Sequence, residues 1–431
     1  MLWRFAETSR MVRHMKVCIA GKNEIAVQGL ELAIAILGRE NVVVCPNVSD
    51  DGASRWQPSL IRFAREWGVK VLELDDLYAL DDLIFISLEF DRIVRPDRFR
   101  TKRLFNIHFS RLPAYKGMYT SAWPILNGEK HAGVTLHKID AGIDTGDIID
   151  QTEIEIHEKC TARELYYEYL RSANLLLNRC FRALIEDNYV SKPQASAGSS
   201  YYSKTSISYA NISIDLRSTA ESVSRQVRAF HFREFQIPHI DRFPVVNGQI
   251  QGNRSRGAVG RVTSDGTDAI VVSTIDFDIR FGRDKSWDFF RLVAESDVAG
   301  VIKFFDHRKF INVTNANGWT PLMIAAYQGN ESMCRALIDA GADVHKSNQN
   351  GTTVLMYAKD YGIRMGDFSL CKLLQDAGCD RFAHDRFGKT VIDYARMKQD
   401  TAAIKFFGTR EKCLVNAESS IYRKLQTGAE F

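Results

Sequence analysis

Short apolar segments alternate with amphipathic segments from residue 16 to residue 110, and this alternation limits the possible fold more than any other feature. The runs KVCIAG, VVVC, VKVLEL, LIFISLEF and RLFNIHFS have the length and β-branched content of buried strands, whereas SLIRFAREWG has helical spacing. Strands separated by helices pair in parallel and are covered on both faces. The sequence therefore predicts an open parallel α/β sheet whose ligands bind beyond the carboxyl ends of its strands.

Length and composition set broad limits. The 431 residues exceed what one hydrophobic core usually organises, so two or three domains are expected. The net charge of +4 neither predicts nor excludes a polyanionic partner. The eight cysteines form no CxxC pair, which favours reduced packing residues over a metal site. The same cysteine pattern leads us to expect a cytoplasmic protein without a metal. No run reaches membrane-spanning length, so we expect no membrane partner.

Changes in composition divide the chain into segments. These are an extension, the α/β domain, a small α+β domain, an all-α repeat domain and a tail, at residues 1–14, 15–204, 205–285, 286–410 and 411–431. Within the α/β domain, a long helix is predicted from Thr161 to Asp187. Thr161 and Glu164 form a capping box at its start.

A repeat occupies the last third of the chain. The segment NGWTPLMIAAYQGNESMCRALIDAGADV is echoed by NGTTVLMYAKDYG with SLCKLLQDAGCD, and again by FGKTVIDYA. Gly318 and Gly351 open two copies about 33 residues apart, and this period, the TPL turn and the GAD ending resemble the ankyrin repeat. The resemblance implies a stack of helix pairs that binds a partner through its hairpin tips and inner helices.

Polar side chains cluster at the end of the fifth predicted strand and after it. Asn106 and His108 lie two residues apart, so both project from one face of the strand. Asp144 follows in KIDAGIDTGDII, in a tight loop that contains Gly142 and Gly146. An Asn-x-His pair alone is more often a hydrogen-bonding pair of the core than a catalytic one. The density of special residues from LPAYKG to GDIIDQ exceeds what packing requires and favours a functional site.

The stretch from Phe105 to Gln151 closely resembles the folate-dependent formyltransferases in its motifs NxHxSxLPxxKG, GVTLHxID and GxDxGDII. The resemblance implies a Rossmann-like fold, 10-formyltetrahydrofolate as co-substrate and transfer of its formyl group to an amine. The catalytic triad of the family falls on Asn106, His108 and Asp144. His108 is suited to take a proton from the attacking amine, and Asn106 can donate to the developing oxyanion. Asp144 would orient the imidazole, stabilise its charged form or relay the proton.

The same resemblance assigns two loops to the pteridine of the folate. The loop SLEFDRIV would hold it largely through main-chain groups, and a second loop would close the site from the other side. These positions are Phe90, Arg92, Ile93 and Val94, followed by Asp140, Ala141, Gly142 and Ile143. The alternative is that SLEF is simply the end of a strand and binds no ligand.

The runs LPAYKGMYTSAWPILNGEK and FHFREFQIP are similar to the branch of the family that formylates amino sugars on nucleoside diphosphates. This likeness implies a dTDP-linked 3- or 4-amino-dideoxy sugar destined for bacterial surface polysaccharide such as the lipopolysaccharide O-antigen, and a homodimer. Lys22, Asn23, Lys116 and Tyr119 are the residues assigned to this substrate. A solvated turn is an equal alternative for Lys22 and Asn23.

Three other functions stay open. Methionyl-tRNA formylation needs a basic surface for a polyanion, whereas residues 205–285 carry many acidic residues among their basic ones, so nucleic acid is not the expected partner. Formylation of glycinamide ribonucleotide would use only the first domain. A catalytically inactive folate-binding protein could recruit another protein through its ankyrin repeats, but the intact triad argues against it.

The repeat domain holds a second candidate site. In ankyrin families the residue after the glycine and those at the end of the first helix face the partner. These positions are Trp319, Tyr327, Asp360 and Tyr361. Aromatic rings beside polar groups can hold a planar base by stacking, so a nucleotide-sugar site is one expectation. A protein partner, or packing of Trp319 onto the small domain, is the more common arrangement for such residues.

Overall fold

The computed structural model describes residues 15–264, 266, 268–304 and 310–408. The predicted extension 1–14 and the predicted tail 411–431 lie outside these residues. The chain divides into two compact units. The first comprises Met1–Glu295, Val313–Thr320 and Asn348–Asn350, and the second comprises Ser296–Asn312, Pro321–Ser347 and Gly351–Phe431.

The first unit is built on a mixed sheet. Its strands are β1 (Lys16–Gly21), β2 (Val42–Pro46), β3 (Lys70–Val71), β4 (Leu83–Leu88), β5 (Leu104–His108), β6 (Lys116–Gly117), β7 (His131–Lys138), β8 (Ile148–Glu155), β9 (Tyr201–Tyr202), β10 (His239–Ile240), β11 (Phe243–Arg254), β12 (Val262–Ser264), β13 (Ala269–Ser273) and β14 (Phe277–Arg283). Seven of them form the main sheet, in the order β3-β2-β1-β4-β5-β7-β8. β1 to β5 pair in parallel, which confirms the predicted core, whereas β7 and β8 join antiparallel.

Helices connect and cover these strands. They are α1 (Asn23–Leu37), α2 (Leu60–Glu66), α3 (Leu74–Leu77), α4 (Trp123–Leu126), α5 (Ala162–Ile185), α6 (Ala220–Phe230) and α7 (Ser286–Ala294). α5 is the long helix that the sequence predicts, and its capping box forms between Thr161 and Glu164. α5 packs on β7 and β8, and its buried side chains include Tyr166 and Tyr169.

The segment 205–285 contains α6 and a separate antiparallel sheet. The order of this sheet is β10-β11-β14-β13-β12. α6 packs on β11 and β14, and its buried Val223 and Val227 share a core with Val245, Ile270 and Phe281. The remaining two strands, β6 and β9, pair in parallel and fix the segment that follows β5.

The second unit consists of paired helices. They are α8 (Val298–Lys303), α9 (Pro321–Gln328), α10 (Glu331–Asp339), α11 (Val354–Met365), α12 (Ser369–Asp376), α13 (Val391–Met397) and α14 (Thr401–Gly408). α9 packs on α10, α11 on α12 and α13 on α14, as the ankyrin resemblance implies. α11 spans 12 residues and ends at Gly366 in the left-handed conformation. Within the described residues, every helix falls short of the length and apolar character needed to cross a bilayer.

Candidate active site

Asn106 and His108 lie on the last residues of β5, where the sequence places them. β5 pairs in parallel with β4 and antiparallel with β7. The pairing with β7 sets Asn106 opposite His137. His108 and His137 are buried, with exposed fractions of 9% and 2%. Since positions 106 and 108 share one face of the strand, both side chains reach the same carboxylate.

That carboxylate belongs to Asp144, in the loop between β7 and β8. It accepts hydrogen bonds from Asn106 Nδ2 at 3.2 Å and from the Gly117 main-chain N–H at 2.9 Å. His108 Nδ1 and His137 Nε2 each lie 3.5 Å from it. Burial by itself would raise the pKa of Asp144, but the charge of His108 and the hydrogen bond from the Gly117 main-chain N–H outweigh it. They hold the pKa of this carboxyl well below its usual range.

The contacts of His108 define its hydrogen positions. Its Nε2 lies 2.8 Å from the carbonyl oxygen of Tyr115. A carbonyl oxygen can only accept, so Nε2 carries the hydrogen, and the lone pair of the neutral ring is on Nδ1. Nδ1 faces Asp144. A proton taken up there is therefore held beside a carboxylate, which stabilises the imidazolium.

His137 belongs to this cluster, although the sequence patterns did not single it out. Its Nδ1 lies 2.7 Å from the Lys138 carbonyl oxygen and so carries the hydrogen, which leaves Nε2 as an acceptor for Asn106 Nδ2 at 3.1 Å. Both amide hydrogens of Asn106 therefore have partners, His137 and Asp144. Donation to an oxyanion requires one of these two contacts to open.

The residues assigned to the folate lie on two loops. Phe90 and Val94 pack against the core beside β4, and the Arg92 guanidinium is held by the Pro46 carbonyl oxygen at 2.8 Å. Ile93 is 77% exposed and Ile143 is 46% exposed. Because the side chain of Arg92 is already bonded within the protein, a ligand at this loop would contact main-chain groups and exposed apolar side chains.

The second of these loops is ordered by its own side chains. The Asp140 carboxylate accepts from the Gly142 N–H at 3.1 Å and from Thr145 Oγ1 at 2.6 Å. Ala141 is exposed within this turn. The turn leads directly into Asp144, so the predicted folate loop and the predicted catalytic carboxylate are parts of one segment.

The four residues assigned to the acceptor separate into two pairs. Lys116 Nζ contacts Ser199 Oγ at 3.1 Å and the Tyr119 hydroxyl donates to the Lys204 carbonyl oxygen at 2.8 Å, which ties this pair to the segment around β9. Lys22 and Asn23 begin α1 and lie beside Glu89 at the end of β4.

Glu89 links the start of α1 to α5. Its carboxylate accepts from Asn23 Nδ2 at 3.2 Å and from the Tyr166 hydroxyl at 2.9 Å. Removal from water raises the pKa of Glu89, and the charge of Lys22 and these two donors offset the rise only in part. A carboxyl whose folded pKa is raised destabilises the fold increasingly as pH rises above its unfolded pKa.

We therefore expect the Glu89→Gln variant to gain thermal stability relative to the parent as pH rises. The difference in Tm between variant and parent should be more positive at pH 8 than at pH 4.5 by about 2 °C or more, because the amide carries no charge to desolvate. Differential scanning fluorimetry across this range measures it. Glu186→Gln, at an exposed position after α5, is the matched control. A difference that stays flat with pH would contradict the expectation.

Aromatic rings from three distant segments meet next to Glu89. Trp56 lies 5.9 Å from Tyr166, 5.5 Å from Phe232 and 5.0 Å from Phe235, measured between ring centroids. Tyr166 in turn lies 6.0 Å from Phe109, the residue after His108. The phenyl ring of Phe235 is 68% exposed. We call Trp56, Tyr166, Phe232 and Phe235 the aromatic cluster; of its members, the sequence indicated only the run FHFREFQIP.

Among the described residues, one group could hold a metal ion. His157, Cys160 and Glu164 have ligand atoms within 4.8 Å of one another at the start of α5. The Glu164 carboxylate already accepts from the Thr161 N–H and hydroxyl. None of the three belongs to the Asn-His-Asp cluster, and the expectation that the protein uses no metal stays a prediction.

The residues predicted to form a ligand site on the repeats do not fall in one unit. Trp319 belongs to the first unit, whereas Tyr327, Asp360 and Tyr361 belong to the second. In the second unit, the Arg364 guanidinium lies over the rings of Tyr327 and Tyr361, at 5.3 and 5.9 Å from their centroids. A ligand at these positions stays a prediction.

The Asn-His-Asp cluster lies at the carboxyl edge of an α/β sheet, where such folds bind their ligands, and comparisons with known proteins identify the class of enzyme. The Formyl transferase family profile matches residues 86–179, and the profile for three ankyrin repeats matches residues 291–380. A methionyl-tRNA formyltransferase from Clostridium tetani is 30% identical over 217 residues, which cover 47% of this chain and 70% of that protein.

Two solved structures match over a longer part of the chain. The sugar 3N-formyl transferase WlaRD, determined with dTDP and 5-N-formyl-THF, is 38% identical over 63% of this chain and 98% of its own, with a TM-score of 0.59. An N-formyltransferase from Helicobacter canadensis, in complex with folinic acid and dTDP-3-aminofucose, is 40% identical over 63% of this chain and 100% of its own, with a TM-score of 0.59. The chain belongs to the formyltransferase family. It is a folate-dependent N-formyltransferase that also carries ankyrin repeats.

Proposed function

We propose that this enzyme transfers the formyl group of 10-formyltetrahydrofolate to the amine of a 3- or 4-amino-dideoxy sugar linked to dTDP. The observation that carries the proposal is the match, at 38% and 40% identity, over 98% and 100% of two sugar-type N-formyltransferase chains. Those matches cover 63% of this chain, a longer share than the 47% covered by the methionyl-tRNA enzyme of Clostridium tetani.

The catalytic roles follow from the geometry of the cluster. The acceptor amine attacks the formyl carbon and forms a tetrahedral intermediate, in which the former carbonyl oxygen is negative and the nitrogen is positive. His108 takes the excess proton of the nitrogen at Nδ1, and Asp144 stabilises the resulting imidazolium at 3.5 Å. Asn106 donates an amide hydrogen to the oxyanion. The oxyanion then collapses to the carbonyl of the formamide, the C–N10 bond breaks, and N10 of tetrahydrofolate receives the proton that His108 had taken up.

The surroundings of the cluster suit a folate on one side and a nucleotide on the other. Ile93 and Ile143 offer exposed apolar surface on the two loops assigned to the pteridine. Within the aromatic cluster, the exposed Phe235 and the half-buried Trp56 offer ring surface to a planar base, and Lys22 offers positive charge to a diphosphate. Phe109 connects these features, since it follows His108 and contacts Tyr166.

Further expectations belong to this proposal. The product would enter a bacterial surface polysaccharide such as an O-antigen, and the enzyme would act as a cytoplasmic homodimer. The ankyrin repeats would bind either a protein or a nucleotide sugar. A second candidate function, formylation of methionyl-tRNA, is favoured by the Clostridium tetani relative.

A panel of acceptors separates the two functions. The full chain is incubated with 10-formyltetrahydrofolate and with dTDP- or UDP-linked 3-amino and 4-amino sugars, or with methionyl-tRNA, and formylated product is measured by mass spectrometry. We expect turnover on a dTDP-linked amino sugar and none on methionyl-tRNA. Turnover on methionyl-tRNA alone would overturn the sugar assignment, and folate binding without any turnover would favour the inactive adaptor.

A further inference from the structure

Two of the four rings of the aromatic cluster lie on one short loop. This loop, residues 231–236, is part of the connection from α6 to β10 and carries Phe232 and Phe235. The two rings are 5.0 Å apart and both contact Trp56. Phe235 N–H and Gln236 N–H both donate to the Phe232 carbonyl oxygen, so the loop is a tight turn. We call it the aromatic loop.

The two residues between the rings form buried ion pairs in different directions. The Glu234 carboxylate, with a side chain 1% exposed, accepts from Arg163 Nε at 2.8 Å and from Arg163 Nη2 at 2.6 Å. Arg163 lies on α5, the helix that also carries Tyr166 of the aromatic cluster. This pair therefore attaches the aromatic loop to the catalytic domain.

The second pair attaches the same loop to the small sheet. Arg233 Nη2 donates to Asp284 Oδ2 at 2.9 Å, and the Asp284 side chain is fully buried. Asp284 follows β14 and also accepts from the Ser286 main-chain N–H at 2.8 Å, so its position is set by the start of α7. The aromatic loop is thus held from both sides.

Buried ion pairs are an inefficient way to gain stability, because apolar residues of similar volume stabilise a core equally well. Their geometry is directional, however, since a guanidinium and a carboxylate fix each other's orientation. A loop that must present an exposed ring, here Phe235, to a ligand benefits from that restriction, because a loop already ordered loses less entropy on binding.

We propose that Glu234 and Asp284 are positioning residues for the nucleotide of the acceptor: they hold the aromatic loop so that the exposed Phe235, backed by the buried Phe232, forms with Trp56 a preformed wall for the base. This inference rests on the proposed function and extends it to the segment 205–285. The small sheet, through Asp284, then takes part in acceptor binding.

The test measures dTDP binding to the full chain by isothermal titration calorimetry. Glu234→Gln and Asp284→Asn should each raise the Kd for dTDP by about tenfold, while the Kd for 5-formyltetrahydrofolate stays within about twofold. With the active acceptor, KM should rise by a larger factor than kcat falls. Glu168→Gln and Asp268→Asn are the matched controls, because their exposed carboxylates pair with Arg171 and Lys285 near the same two anchors.

A double-mutant cycle distinguishes positioning from general destabilisation. Phe235→Ala should weaken dTDP binding by about tenfold, as expected for loss of one stacked ring. If Glu234 acts through this ring, Glu234→Gln should have less than about a twofold further effect in the Phe235→Ala background. Arg163→Lys keeps the charge but loses the two-point contact, and it replaces Glu234→Gln in the cycle if that variant does not fold.

The outcomes separate this inference from the proposed function. If the parent neither binds dTDP nor formylates a dTDP-linked sugar, the proposed function and the inference are both wrong. If the parent binds dTDP while Glu234→Gln and Asp284→Asn bind it as well as the parent does, only the positioning role is wrong. Fully multiplicative effects in the double-mutant cycle would also overturn the role of Glu234.

Discussion

The His108→Ala variant should lose formyl transfer by about 10²- to 10⁴-fold in kcat, because the ammonium of the tetrahedral intermediate would have no base to take its proton. His108 is oriented from two sides, by the Tyr115 carbonyl oxygen at Nε2 and by Asp144 at Nδ1. Alanine removes the base without disturbing Asn106 or the main chain of β5. Single-turnover assays at saturating folate and acceptor measure the chemical step directly.

Two controls test whether the loss of activity is specific to the His108 side chain. His131→Ala removes a histidine from the start of β7 that is exposed and paired with Glu153, and its kcat should stay within about twofold of the parent value. The affinity of His108→Ala for 5-formyltetrahydrofolate should also be preserved, which shows that the site still forms. A kcat reduced by less than about tenfold would mean that another group takes the proton.

The position of the proposed catalytic residues on the fold could be predicted from the sequence because each depends on a local pattern. The spacing of Asn106 and His108 on an apolar strand gives one shared face, and the parallel core gives the edge at which that face meets a ligand. The capping box at Thr161 likewise marks the start of α5 to the residue.

His137 could not be assigned in the same way, because its role depends on a strand direction that the sequence does not reveal. The prediction was a parallel sheet, whereas β7 runs antiparallel to β5. Only this register sets His137 opposite Asn106, where its Nε2 can accept from the amide. The motif GVTLHKID contains the histidine, but the motif alone does not show which residue the histidine contacts.

The aromatic cluster shows a second limit of sequence patterns. Trp56, Tyr166 and Phe232 come from a loop, a helix and another loop more than 60 residues apart in the chain. The ion pair between Arg233 and Asp284 spans 51 residues. No local periodicity records such contacts, since they depend on how α5, α6 and the small sheet pack together.

The Asp144→Asn variant should show a loss of similar size, about 10²- to 10⁴-fold in kcat, although it changes only one atom. The Asp144 carboxylate accepts from Asn106 and Gly117 and faces His108 and His137. An amide has one accepting oxygen and one donating nitrogen, so at least one donor would meet another donor. The imidazolium of His108 would also lose the negative charge that stabilises it.

The same substitution should lower thermal stability in a pH-dependent way that distinguishes lost charge from lost shape. The folded pKa of Asp144 is held below its unfolded value, so its charge stabilises the fold above the unfolded pKa of about 4 and this contribution is lost as pH falls further. The Tm of Asp144→Asn should therefore lie several degrees below that of the parent at pH 7, and the gap should narrow below about pH 4. Asp147→Asn, in the same loop but bonded through its side chain to Ser191, should show a small gap at every pH. A gap for Asp144→Asn that is equally wide in acid would mean that packing of the loop, and not the charge at the centre of the Asn-His-Asp cluster, accounts for the loss.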